Sequence, residues 1–290
     1  MGYFHLPCRP ANVIGEKGIM NTLYHSDNLT ILKSLPDASV DLTFTSPPYY
    51  NARDYVYYDS YSQYLKALSS VFSEVHKVTK EGRFCVVNTS PVIQARKSRA
   101  HSSKRFAIPF DLHHILSKSG WEFIDDIVWV KPEYSSKNRN GGFFQHRTPL
   151  GYKPNPISEY LMVYRKQTDK LIDWNMKQYN HDVIQASKVQ GDYEKTNVWN
   201  IPTSPNKKYT ATFPFGLAER IIKYYSFVDD TVLDPFCGSG TTLDASQTLG
   251  RRWIGIDQSI EAINVIQARL RDRHGLEYDR DYQRITYKGR

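Results

Sequence analysis

Residues 43–55, TFTSPPYYNARDY, end an apolar run with Ser46, two prolines and two tyrosines. Proline donates no backbone hydrogen bond and biases the residue before it toward an extended conformation. Pro47 and Pro48 in succession therefore stop a strand and stiffen the turn that follows. A rigid, donor-poor turn with Tyr49 beside it is a poor core filler and a good platform for a flat ligand. A second candidate lies in residues 232–242, VLDPFCGSGTT, where a strand pattern runs through a glycine-rich turn into a helix pattern. Gly238 and Gly240 let the backbone turn tightly and approach a ligand with no Cβ between them. The helix start beyond them offers free N–H groups. One strand–helix unit later, RWIGID ends in Asp257, an acceptor suited to two ribose hydroxyls. Two glycines can also make nothing more than a tight connection, and it is the placement of Asp257 that favours a ligand. Thr242 and Leu243 stand where a dinucleotide site carries its third glycine, so the expected ligand is a nucleoside without a pyrophosphate. Cys237 is assigned no chemistry.

The elements that must position these turns alternate between strand and helix patterns. NTLYHSD, SVDLTFTS, GRFCVVNTS, FIDDIVWVKP, DTVLDPF and RWIGID read as strands. Between them NLTILKSLPD, YSQYLKALSSVFSEVHKVT, PFDLHHILSKSG, FPFGLAERIIKYYS, GTTLDASQTLG and SIEAINVIQARLRDR read as helices. The β–α–β recurrence predicts a doubly wound, mostly parallel sheet in the α/β class. Both turns end buried strands, which puts them at the same carboxyl edge of that sheet, where ligands collect. Between residues 133 and 200 the pattern lapses into a polar, aromatic, Gly- and Pro-rich stretch holding one strand-like run, SEYLMVYRK. It is expected to be an inserted, loop-rich module. The expected division is an extension at 1–19, a first half at 20–132, the module at 133–200, a second half at 201–273 and a peripheral tail at 274–290.

The 290 residues are 40% hydrophobic and 23% charged, the balance of an ordinary globular chain. No run approaches ~20 uninterrupted apolar residues, and the first residues lack the apolar core of a secretory signal. Three scattered cysteines offer neither a disulfide framework nor a zinc site, so no metal is expected and the reading is cytoplasmic. The formal charge of +8 permits nucleic-acid binding without establishing it.

TSPPYY followed late in the chain by DPFCGSGTT resembles the amino-methyltransferases that use S-adenosyl-L-methionine on DNA bases. The order, Ser-Pro-Pro-Tyr first and the glycine turn second, is similar to their circularly permuted β class, found in restriction–modification systems. FPFGLAERII ahead of the glycine turn and HSDNLTILKSLPDASVDL ahead of the prolines support the resemblance, which spans residues 20–273 apart from the middle module. It implies a Rossmann-like methyltransferase sheet with an inserted target-recognition module. It also implies that Gly238, Ser239 and Gly240 pass the methionine end of the cofactor, Asp234 holds its amino group and Asp257 takes the ribose. Asp27 would lie in the adenosine pocket, and Phe213 and Pro214 would line the methionine side, with Phe236 and Thr241 in the same pocket. Ser46, Pro47, Pro48 and Tyr49 would receive the target base.

That reception has a chemical rationale. An exocyclic amino nitrogen is a poor nucleophile because its lone pair is delocalised into the ring. The Ser46 hydroxyl and the Pro47 carbonyl, aimed at its hydrogens, would favour a pyramidal nitrogen, and a turn fixed in advance spares reorganisation. Tyr49 would stack on the base, which must leave the duplex to arrive. Serine at this position resembles the enzymes acting on the 4-amino group of cytosine; the 6-amino group of adenine is the alternative. An RNA or protein methyltransferase, a catalytically inactive DNA-binding module and a nicotinamide dehydrogenase are the remaining rivals.

The implied partner is double-stranded DNA, and the resemblance admits a cognate restriction endonuclease and a monomer or homodimer. Arg96, Lys97, Arg99, Lys104 and Arg105 follow a strand expected to end near the active edge and are candidates for phosphate contact. Lys137, Arg139, Gln145 and Arg147 in the middle module are candidates for base recognition, since arginine pairs with guanine and glutamine with adenine. Asn51, Arg53 and Asp54 either order a loop over the base or form a surface ion pair. His113 and His114 lack a matching ligand set.

Overall fold

A computed structural model of the chain describes residues 14–15, 18–19, 21–51, 57–94, 104–135, 149–150, 152, 154, 156–203, 213–277 and 279–286. Its strands are β1 (Ile14–Gly15), β2 (Gly18–Ile19), β3 (Thr22–His25), β4 (Val40–Thr45), β5 (Thr79–Thr89), β6 (Val92–Gln94), β7 (Lys104–Phe106), β8 (Trp121–Val130), β9 (Ser158–Lys166), β10 (Val198–Asn200), β11 (Thr231–Asp234), β12 (Arg252–Asp257) and β13 (Gln283–Thr286). Its α-helices are α1 (Asn28–Leu32), α2 (Tyr61–Val78), α3 (Ile108–Lys118), α4 (Ile172–Met176), α5 (His181–Ser187), α6 (Phe215–Tyr225), α7 (Thr241–Thr248) and α8 (Ile260–His274).

Among the described residues nine strands form one sheet, in the order β10-β8-β9-β5-β4-β11-β12-β3-β13. All are parallel except β9, which runs against both β5 and β8. Every residue of β4 is buried, as expected of a parallel strand covered on both faces. Helix α2 starts where Ser60 accepts a hydrogen bond from the Gln63 amide, and its apolar stripe of Tyr64, Leu68, Val71, Phe72, Val75 and Val78 packs on one face of the sheet with α1 and α3. Helices α6, α7 and α8 cover the other face through Leu217, Ile221, Ala245, Ile263 and Ile266. No helix among the described residues is long and apolar enough to cross a membrane.

Strands β4 and β11 lie side by side, and the chain leaves them in opposite directions, from β4 toward β5 and from β11 toward β12. Their carboxyl ends therefore open a crevice at the point where the winding reverses.

Two parts of the expected architecture change. The stretch 133–200 is not wholly set apart: β9 and β10 come from it, and β9 sits inside the sheet with Leu161–Arg165 buried. An apolar run shows that a strand is buried but carries no mark of its direction, so its place between β5 and β8 could not be read. The tail is not wholly peripheral either. β13 pairs with β3, and Tyr282 is buried against Trp253.

Candidate active site

The crevice is closed at its floor by one hydrogen bond. Thr45, the last residue of β4, donates its hydroxyl to the Asp234 carboxylate at the end of β11, at 2.6 Å. The Phe236 amide donates to the same oxygen at 3.1 Å. Burial pushes the Asp234 carboxyl up to about 6, against the opposing hydrogen bonds from Thr45, Thr242 and the Phe236 amide. Phe213 packs on Phe44 with ring centroids 4.7 Å apart, and Pro214 caps the start of α6, so this segment lies under the end of β4.

The glycine turn is built around Asp257. Its two carboxylate oxygens accept from the Gly238 amide at 2.8 Å and the Ser259 amide at 2.9 Å. Burial nevertheless raises this carboxyl above its ordinary range. Gly238 has φ +50°, and a Cβ there would meet nothing nearer than the Phe236 carbonyl at 3.9 Å, so the turn is open in front. Behind it the packing is close: a Cβ on Gly240, at φ +74°, would lie 2.8 Å from Ile266. Asn28 reaches the Pro235 carbonyl at 3.3 Å, and the Ser26 amide bonds the Asp257 carbonyl at 3.0 Å, which brings the start of α1 beside the turn. Asp27 is exposed and caps α1 through the Thr30 amide and hydroxyl. Ser239 is buried with its hydroxyl 3.3 Å from that of Thr241, which in turn accepts from Arg269. Among the described residues no ion pair reaches Asp234 or Asp257. Buried Asp234 and half-buried Asp257, neither in an ion pair among the described residues and both beside an open glycine turn, fit a ligand that brings hydroxyls and a positive charge.

The Ser46-Pro47-Pro48-Tyr49 turn is held from several sides. Ser46, Pro48 and Tyr49 are half-buried and Pro47 is buried. The Tyr49 hydroxyl donates to Glu159 at 3.0 Å, and Lys131 donates to the other oxygen of that carboxylate at 2.8 Å. Burial first and the Glu159 charge second hold the Tyr49 phenol well above its ordinary pKa, so it stays a neutral donor. Tyr50 is buried among Tyr61, Tyr64 and Phe106, at centroid distances of 5.2, 5.6 and 4.8 Å. Asn51, at φ +43°, bonds both the amide and the carbonyl of Tyr58 at 2.8 Å.

The structure thus brings Ser46, Pro47, Pro48, Tyr49, Asp234, Phe236, Gly238, Asp257, Phe213 and Pro214 to one edge of the sheet. Lys104 and Arg105 are exposed on β7, a strand of the β6–β7 ribbon whose Phe106 packs on Tyr50 and Tyr61. Arg96, Lys97, Arg99, Lys137, Arg139, Gln145 and Arg147 lie outside the described residues, as do Arg53 and Asp54. His113 is engaged by the Tyr164 hydroxyl and the Phe123 ring, a packing role. Sequence reasoning missed Thr45, Lys131 and Glu159. A threonine ending a strand carries no distinguishing signal, and Glu159 lies 110 residues from the tyrosine it holds.

Residues 40–268 match the family described as DNA methylase. The chain is 31% identical over 263 residues to the Type II methyltransferase M.ScaI of Streptomyces caespitosus, covering 86% of this chain and 80% of that one. It is 29% identical to the Type II methyltransferase M.Cfr9I of Citrobacter freundii, covering 86% and 87%. TTHA0409 of Thermus thermophilus, named as a candidate DNA modification methylase and also solved with S-adenosyl-L-methionine, superposes with a TM-score of 0.70 at 25% identity, over 92% of this chain and all of that one.

Proposed function

The chain belongs to the N6/N4 DNA methylase family, and from that premise we propose that it methylates the exocyclic 4-amino group of a cytosine turned out of duplex DNA. The observation that carries the reading is the Thr45–Asp234 hydrogen bond, which sets the Ser-Pro-Pro-Tyr turn against the glycine turn in one crevice. S-adenosyl-L-methionine, the methyl donor, supplies when bound an electrophilic methyl group on a positively charged sulfur. Asp257 would accept its ribose hydroxyls and Asp234 its ammonium, and Gly238 leaves room for its close approach. Asp27 would flank the adenosine, with Phe213, Pro214 and Phe236 as the apolar lining.

The chain's own residues organise the amino group. The Ser46 hydroxyl and the Pro47 carbonyl accept its two hydrogens, which leaves the nitrogen lone pair directed away from both. Pro47 and Pro48 hold these acceptors without reorganisation, and the tether of Tyr49 to Glu159 fixes the ring on which the base stacks. Serine is too weak a base to take a proton early at neutral pH, so the proton leaves after the nitrogen has become cationic. The assignment to cytosine rests on serine, rather than aspartate or asparagine, at residue 46.

Incubation of unmethylated genomic DNA with the protein and S-adenosyl-L-methionine, followed by mass spectrometry of the nucleosides, tests the reading. The expected product is 4-methylcytosine. N6-methyladenine alone would move the assignment to adenine, and no methylated base would end it.

A further inference from the structure

Strands β5 and β8 run in the same sense, each antiparallel to β9 between them. The chain that leaves β5 at the carboxyl edge must therefore return through α3 before β8 can begin. The first turn of α3 thus stands at the edge that carries the Ser-Pro-Pro-Tyr turn. It buries Ile108 and Pro109 but leaves Phe110 61% exposed, the most exposed phenylalanine among the described residues. One exposed ring on a surface is ordinary, but this one has company. Tyr57, ahead of α2, and Tyr134, just past the end of β8, are 78% and 82% exposed at the same edge. Lys104 and Arg105 stand exposed beside them on β7. Rings interleaved with cations suit a nucleic acid, which offers flat base faces and a phosphate backbone. Resting on the base-extrusion reading above, we infer that Phe110 enters the duplex beside the extruded base and stacks in the space that base leaves.

The mounting of this side chain is rigid. Phe106, just before α3, packs on Tyr50 and Tyr61 with ring centroids 4.8 and 4.5 Å away. Asp111, the next residue after Phe110, accepts the Tyr61 hydroxyl at 2.6 Å. The backbone on both sides of Phe110 is thereby tied to the tyrosines behind the Ser-Pro-Pro-Tyr turn. Its own ring meets Tyr160 edge-on, with centroids 6.1 Å apart, and Tyr160 adjoins the Glu159 that holds Tyr49. Most of the residue faces water in the free protein, an exposure that burial between bases relieves. Extrusion of a base breaks its stacking on both neighbours and leaves its pairing partner alone. An apolar ring in the gap restores part of that stacking, as wedge side chains do in kinked duplexes. Phenylalanine has no hydrogen-bonding group with which to read a base. Its effect is therefore to lower the cost of extrusion and not to choose the site.

The test first locates the methylated site by sequencing plasmid DNA treated with the wild-type protein. Two duplexes carrying that site then serve as probes. One has the target base paired; in the other it faces an abasic position, where extrusion costs least and gains least from a filler. On the paired duplex F110A is expected to lose about 10- to 100-fold in single-turnover methylation, the range of one stacked base. On the abasic duplex it should stay within about threefold of the wild type. F110W, which keeps a ring, should stay within about threefold of the wild type on both. Cofactor affinity by calorimetry, the melting temperature and the salt dependence of DNA binding should not change, since an exposed neutral ring displaces no counterion. An F110A rate within about twofold of the wild type on the paired duplex, or equal losses on the two duplexes, would overturn the inference while leaving the methylation reading intact. A wild-type protein that methylates no DNA would overturn the reading itself, and the inference with it. If F110A does not fold, F110Q carries the same comparison, with the same loss expected on the paired duplex alone.

Discussion

The Thr45 hydroxyl donates to Asp234 at 2.6 Å across 189 residues of sequence, inside a core where both residues are buried. This bond fixes the separation between a turn that presents two acceptors and a turn that presents two carboxylates. Removing it leaves Asp234 buried with a missing donor, which costs about 1–3 kcal/mol. T45V, close in shape, should therefore lower the melting temperature and weaken S-adenosyl-L-methionine binding together. Calorimetry showing wild-type affinity in a folded T45V would mean that the two turns are positioned by strand pairing alone.

Asp234 also predicts a pH signature. Its folded carboxyl sits at about 6, above the ordinary value of 3.8, so the folded state keeps a proton that the unfolded state has lost. The stability that this proton brings is complete below about pH 4 and disappears as pH rises through 6, a loss on the order of 3 kcal/mol. Affinity for a cationic ligand should move oppositely and improve over the same window, as the carboxylate ionises. D234N should flatten both profiles and raise the melting temperature of the ligand-free protein at neutral pH. Thermal melting from pH 4.5 to 8, with and without S-adenosyl-L-methionine, measures both. Parallel rather than opposed trends in the wild type would remove Asp234 from the cofactor's binding site.

The two glycines of the turn should fail differently. G240A adds a Cβ 2.8 Å from Ile266 in a left-handed backbone, combining overpacking with strain, and is expected to cost about 2–4 kcal/mol of stability. G238A meets no neighbour closer than 3.9 Å and should cost only about 1–2 kcal/mol from its backbone. Its Cβ projects into the open front of the turn, so its main effect should be a loss of at least tenfold in cofactor affinity. Equal loss of affinity at matched stability in both variants would contradict the division into an open front and a packed back.

Much of this site could be read because its signals are local. Two prolines, two glycines and an acidic strand end announce their backbone needs within a few residues, and the β–α–β order then places their turns on one edge. What could not be read depends on partners far apart. Glu159 and Lys131 are ordinary residue types in a polar stretch, and their pairing exists only because β9 is reversed. The two bonds from Asn51 to the backbone of Tyr58, seven residues on, likewise carry no local mark in the sequence. Tyr282 and β13 were hidden in a charged tail whose short alternation is visible only against β3.

The β6–β7 ribbon yields the last prediction. Ile93 pairs with Arg105 and Gln94 with Lys104, so two exposed cations stand on a strand anchored through Phe106 to Tyr50, the residue after the Ser-Pro-Pro-Tyr turn. Cations there would meet the phosphates flanking an extruded base and neutralise charge without reading sequence. K104A/R105A should weaken binding to every duplex by a similar factor and reduce the slope of log K against log salt by about 2, roughly one per phosphate contact. Cofactor affinity should not change, because the ribbon packs on Tyr50 and Tyr61 and not on the glycine turn. Fluorescence anisotropy with labelled duplexes at 50–200 mM salt makes the measurement. A slope equal to the wild type's, or weakening confined to one sequence, would take phosphate contact away from this ribbon.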